Sequence, residues 1–241
     1  MLSAIVSEYA KLRRSLALLL CAAAPTMVAL LSAIILMDRD KAGNWALFSM
    51  STSAMWSFFM LPMTVTALTV LVAQIDHGPK AWNHLLALPV PRWRLYAAKA
   101  FVVVSLVAAM SAALIVLLPA AGAAAEMLAS GQQLNGAYDW HASASLIGTM
   151  FAGSLLLIAI QLWAALRFRS FVPPLVIGIG GTFVAVAATA SKQGAFFPWL
   201  IPTNALATEP ARAEMAINIG LYGGVAVILL MLVDLTRKEA L

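Results

Sequence analysis

Three histidines, one cysteine and one glycine cluster are the residues of this chain best suited to chemistry, and their spacing argues against an enzyme. A metalloprotease needs two histidines four apart on one helical face, and His77, His84 and His141 provide no such pair. There is no Gly-x-Ser-x-Gly elbow, no paired carboxylates within an apolar run, and no glycine-rich loop followed by Lys-Ser or Lys-Thr to cradle a nucleotide phosphate. The lone Cys21 has no second cysteine with which to form an intrachain disulfide. Gly178-Ile-Gly180-Gly181 sits inside an apolar stretch, where small residues let helices approach closely. No catalytic residue, metal site or cofactor site is therefore expected.

The elements that carry these residues are apolar. The chain has 241 residues, of which 63% are hydrophobic and 10% charged, whereas soluble domains carry about 25% charged residues. Runs of about 20 apolar residues mark membrane helices. Six are read, at 16–37, 54–73, 97–119, 145–166, 171–191 and 217–235, forming one all-α transmembrane domain over residues 1–241. The second run could begin as early as Trp45, with Pro62 kinking it. Long unbroken runs exclude a β-barrel, whose strands alternate in polarity. Eleven Lys or Arg flank the runs on the side of the N-terminus, Lys11, Arg13, Arg14, Lys80, Arg92, Arg94, Lys99, Arg167, Arg169, Arg237 and Lys238. Four, Arg39, Lys41, Lys192 and Arg212, lie on the other side. By the positive-inside rule both termini are cytoplasmic.

Residues 74–99 stand apart from this apolar background. Gly78-Pro79 suits the start of a short helix, because proline at the first helical position forfeits no hydrogen bond. Pro89 and Pro91 stop it. Trp82, Leu85 and Leu86 share its apolar face, which either rests on lipid or docks into a soluble partner. Arg92 and Arg94 suit an acidic rim on that partner or lipid phosphates equally. At the N-terminus, Leu2, Ile5, Val6, Tyr9 and Leu12 form an apolar stripe opposite Ser3, Ser7, Glu8, Lys11 and Arg14. This reads as an interfacial helix along the inner leaflet, with a polybasic topology anchor as the plainer alternative. The interiors of the six runs hold no ionisable group, which disfavours transport driven by an ion gradient. Asp234 is expected to pair near Arg237 and Lys238, and Gln161 and Asn218 to glue helices together.

Several motifs, in order, resemble the ABC-2 type permeases, most closely the lantibiotic-immunity and bacteriocin-export branch. They are Glu8-Tyr-x-Lys-x-Arg-Arg, then Asp76-His-Gly with Trp82-x-x-Leu85-Leu86-x-Leu88-Pro89-Val90-x-Arg92 and Tyr96-x-x-Lys99. Arg169-Ser-Phe-Val leading to Gly178-Ile-Gly180-Gly181 follows, and Pro198-Trp199-Leu-Ile-Pro202 completes the set. This chain departs from the pattern at Asp76, where relatives often carry Glu, and at Pro91, where they carry a polar residue.

The resemblance implies the permease subunit of an ATP-driven exporter in a bacterial inner membrane. The exporter would move an amphipathic peptide or lipid-like substrate outward. ATP and magnesium would sit on a separate ATPase, present in two copies, and a second permease, identical or paralogous, would complete the assembly. Nucleic acid has no part in it. The resemblance makes residues 1–15, with Glu8, Tyr9, Lys11, Arg13 and Arg14, an elbow helix. It makes Pro79–Leu88 a coupling helix, with Asp76, His77, Trp82, Leu85, Leu86, Leu88 and Arg92 docking the ATPase. Pro62, Gly178, Gly180 and Gly181 become bending points along the substrate path. Pro198, Trp199 and Pro202 form an outer segment, either interfacial anchor or gate. The alternative is a membrane anchor that recruits a soluble partner without transport.

Overall fold

A computed structural model describes residues 1–38, 43–77, 91–128 and 134–237, and these are almost wholly helical. Helix α1 (Leu2–Leu12) is short and ends in a tight turn before α2 (Leu16–Met37). Arg14 makes that turn at φ 65°, a left-handed conformation that costs a residue with a β-carbon about 1–2 kcal/mol. Helix α3 (Trp45–His77) follows. The Asn44 side chain caps it by accepting from the Ala46 N–H at 2.7 Å. A π turn at Trp56–Met60 directly precedes Pro62. The wider turn relieves the clash between the proline ring and the carbonyl four residues back, so the helix continues rather than breaks.

Helix α4 (Arg92–Leu128) starts before the predicted run and continues past Pro119, for 37 residues. At 1.5 Å per residue that is roughly 55 Å, against a hydrocarbon core of about 30 Å. Asp139 caps α5 (Trp140–Arg167) by accepting from the Ala142 N–H at 2.9 Å. Helix α6 (Val172–Ala188) is the shortest of the apolar helices at 17 residues. Two short 3-10 turns, Lys192–Phe196 and Ile201–Leu206, lead to α7 (Pro210–Arg237). Among the described residues five helices, α2, α3, α4, α5 and α7, are long and apolar enough to cross a membrane. Helix α6, near 25 Å, stands at the lower limit of a span.

Two two-residue strands, β1 (Gly43–Asn44) and β2 (Leu134–Asn135), pair in parallel with Gly43 opposite Leu134. They bring the α2–α3 and α4–α5 connections to the same end of the bundle. The core runs along the helices from Leu12 and Tyr96 through Leu68, Val103, Met110 and Leu157 to Trp199. Outward faces remain apolar, with Leu19, Met27 and Leu30 on α2, Val176 and Phe183 on α6, and Leu229 and Leu230 on α7 all exposed. A soluble protein would bury such faces; a bilayer solvates them, because lipid tails are as apolar as leucine.

Candidate functional site: a buried ring of four charges

At the end of the bundle opposite the strand pair, three separate segments converge on four charged side chains. Glu8 and Lys11 come from α1, Asp76 from the last turn of α3, and Lys99 from the second turn of α4. Lys11 Nζ donates to Glu8 Oε1 at 2.6 Å and to Asp76 Oδ1 at 3.0 Å. Lys99 Nζ donates to Glu8 Oε2 at 2.6 Å and pairs with Asp76 Oδ2. The four groups thus form a closed ring in which acid and base alternate, and each carboxylate gives one oxygen to each ammonium. The side chains of Lys99 and Asp76 are 1% and 2% exposed, that of Glu8 6% and that of Lys11 22%. Isolated charges at such burial cost several kcal/mol each, and only close pairing repays that cost. For Lys11, burial pulls the ammonium's pKa down, but the hydrogen bond and charge of Glu8, joined by Asp76, outweigh it and hold the group above its ordinary range.

The ring explains the orientation of α1. The predicted apolar stripe divides: Leu2 and Val6 are 80% and 64% exposed, whereas Leu12 is buried and Ile5 packs on the core. Glu8, expected on a solvated face, is turned into the protein because two ammonium groups wait there. Tyr9 extends the contact by hydrogen bonding Ser105 on α4. Arg13 and Arg14 remain exposed beyond the end of α1.

The two helices that flank residues 78–90 are held by the same ring, through Asp76 before that segment and Lys99 after it. His77 closes α3 and Arg92 opens α4, both half-buried. The exposed Trp93 ring carries the Arg94 guanidinium 5.5 Å from its centroid. Trp82, Leu85, Leu86 and Leu88, with the Pro79–Leu88 helix, lie outside the described residues. Lys99 is the member whose role the sequence leaves open, since it enters there as a basic residue flanking a run and as the last position of the Tyr96-x-x-Lys99 motif, with no partner assigned. The usable signal is that Glu8, Lys11, Asp76 and Lys99 all stand at the margins of apolar runs on the same side, two acids and two bases whose charges sum to zero.

Near this end, Asp234 accepts from Trp163 Nε1 at 3.0 Å and pairs with Arg167 Nε at 3.4 Å. Its described partners are therefore on α5 rather than one turn away on its own helix. Deeper in the bundle, Gln161 Nε2 donates to Thr66 Oγ1 at 2.7 Å. Gly178 lies against both side chains, with no room for a β-carbon, so side chains of α3 and α5 reach the backbone of α6 there. Gly181 is likewise covered by the Trp199 indole, while Gly180 faces open space.

Trp199 is 6% exposed and stacks on Phe197 at 5.3 Å between centroids. Its ring is therefore packed inside the bundle instead of projecting to a headgroup boundary. Pro198 precedes it and Pro202 sits in the 3-10 turn that packs on α5. The same turn contributes Ala205 and Leu206 to an open cleft of about 320 Å3, shared with Trp45, Met50, Asp139 and Leu146.

These features define a multi-pass helical membrane protein with a buried ring of four charges at one end. The profile of a family described as ABC-2 family transporter protein matches residues 4–185, a stretch that contains all four ring residues. The chain belongs to that family, and so is a membrane permease of an ABC transporter, with the ATPase on a separate subunit implied by membership. No curated protein and no solved structure matches it.

Proposed function

We propose that this chain is the permease subunit of an exporter driven by a cytoplasmic ATPase, and that the ATPase engages residues 78–90. The observation that carries the reading is the direct pairing of Asp76 with Lys99. It ties together the helix that leads into that segment and the helix that leaves it, so force applied between them enters α3 and α4 jointly. Trp82, Leu85 and Leu86 supply the aromatic and aliphatic anchors from which interfaces draw most of their energy. Both termini lie in the cytoplasm of a bacterial cell, and the chain crosses the inner membrane six times, α6 included. Two permeases and two ATPases make the working assembly.

The substrate is an amphipathic peptide or lipid-like molecule. Supporting this, the Thr66–Gln161–Gly178 junction between α3, α5 and α6 offers neutral polar groups and no charge, a route poorly suited to a small hydrophilic ion. Pro62, beside its π turn, and Gly180, with open space around it, are the places where this path can bend.

Trp82→Ala combined with Leu86→Ala should release the ATPase during copurification, or uncouple its hydrolysis from transport, while the permease still inserts. Normal copurification together with normal substrate-stimulated hydrolysis defeats the docking assignment. Docking that persists without any ATP-dependent movement of peptide or lipid in vesicles favours a recruiting anchor instead. Cysteines at Asn83 and Gln133 should label from opposite sides of the membrane.

A further inference from the structure

Joining the helices on either side of residues 78–90 needs only Asp76 and Lys99, yet the ring also contains two residues of α1. We propose that Glu8 and Lys11 latch α1 to these helices, so that α1, the end of α3 and the start of α4 travel as one rigid unit when the ATPase moves. This rests on the reading that the ATPase engages residues 78–90. Glu8, Lys11, Asp76 and Lys99 are then positioning residues for the coupled step, and α1 is a working part of the transmission rather than an anchor sliding on lipid.

The geometry supports the latch in three ways. Each carboxylate bridges both ammonium groups through its two oxygens, so α1 cannot slide by more than a fraction of a hydrogen-bond length without opening contacts on both sides of the ring. Opening it would strand charges in a site that water barely reaches. The Tyr9–Ser105 hydrogen bond then fixes α1 at a second point, six residues further along α4 than Lys99. With two points held, α1 cannot translate against α4 and can turn only about the line that joins them.

Closed alternation also makes a prediction that separate ion pairs do not. Exchanging one pair, Glu8→Lys with Lys99→Glu, would rescue an isolated bridge. In a ring it sets like charges side by side, at positions 8 and 11 and at positions 76 and 99. Adding Lys11→Glu and Asp76→Lys restores alternation.

The test uses the permease copurified with its ATPase, in a Cys21→Ser background. Tyr9→Cys and Ser105→Cys are bridged by a short bis-methanethiosulfonate reagent that reductant removes. The bridged complex should keep its hydrolysis and transport rates within about twofold, because nothing between α1 and α4 has to move. A tenfold loss on bridging, restored by reductant, overturns the latch while leaving loop docking intact. In the exchange series, the two-residue swap should lower permease-stimulated hydrolysis at least tenfold with copurification retained, and the four-residue swap should recover most of it. Full recovery by the two-residue swap alone overturns the ring. An unaltered permease that never binds the ATPase overturns the docking reading and the latch together.

Discussion

At one end of the bundle, α1, α3 and α4 meet through Glu8, Lys11, Asp76 and Lys99. At the other, α2, α3, α4 and α5 meet through Trp45, Phe48, Tyr138 and Trp140, with a two-residue strand pair beside them. The aromatic rings pack edge to face, Trp45 on Tyr138 at 5.5 Å and Tyr138 on Trp140 at 4.8 Å between centroids. Leu134 N–H donates to Glu126 Oε1 at 2.6 Å, which fastens the strand pair to the end of α4. Both ends gather helices, but they fail differently. The charged end depends on net neutrality, so one lost charge unbalances all four groups. The aromatic end depends on shape and area, so damage there is local and graded by volume.

Lys99→Met is the sharpest way to break the comparison. It leaves Glu8 and Asp76 with Lys11 alone, and loss of one partner from a buried ionic set costs about 3–5 kcal/mol. Thermal unfolding in nanodiscs should show a clear fall in midpoint, and a change below about 1 kcal/mol would place the ring in effectively aqueous surroundings.

At the aromatic end, a β-carbon on Gly122 would fall 2.5 Å from the Trp45 ring. Gly122→Val should therefore destabilise by about 1–3 kcal/mol through overpacking, with ATPase copurification unaffected. Equal damage to copurification would show that the two ends are mechanically coupled.

A double-mutant cycle between Trp45→Ala and Tyr138→Ala should return a smaller coupling, about 0.5–1.5 kcal/mol, as edge-to-face ring pairs do. A coupling near zero would mean that the rings share a site without helping each other.

The smallest effect concerns pH. Lys11 is raised above its unfolded value. Its stabilising contribution is therefore complete below the unfolded lysine pKa of about 10.4 and fades only as pH climbs through the higher folded value. The thermal unfolding midpoint in nanodiscs should show no loss from Lys11 between about pH 6 and 9 and should fall on its account only above about pH 10.5. A decline near neutrality would mean that a different group controls the latch.

Much of the architecture was legible because hydropathy is a local property. The run at 16–37 could be read without neighbours, and the possibility that the second run began at Trp45 anticipated the 33-residue α3. Helix ends were harder. The run read as 97–119 is part of a helix that continues past Pro119 to Leu128, because packing of its buried face offsets the one backbone hydrogen bond that the proline forfeits. Tyr138 and Trp140 were not connected with Trp45, since nothing in a linear chain brings residues some ninety apart together.

The chain by itself determined that it would be helical, membrane-embedded and family-like, since apolar runs, flanking charges and ordered motifs are all written along one dimension. Tertiary structure alone decided which charges would meet. Glu8 looked like a residue on a solvated face, Asp76 and Lys99 like ends of a loop, and Asp234 like a partner for its own helix. Each choice turned on helix rotation and proximity. Rotating α1 by half a turn would send Glu8 to water and leave Lys99 buried without it. A buried charge tolerates only one such rotation, and that physical demand, invisible in any single segment, sets where the ring closes.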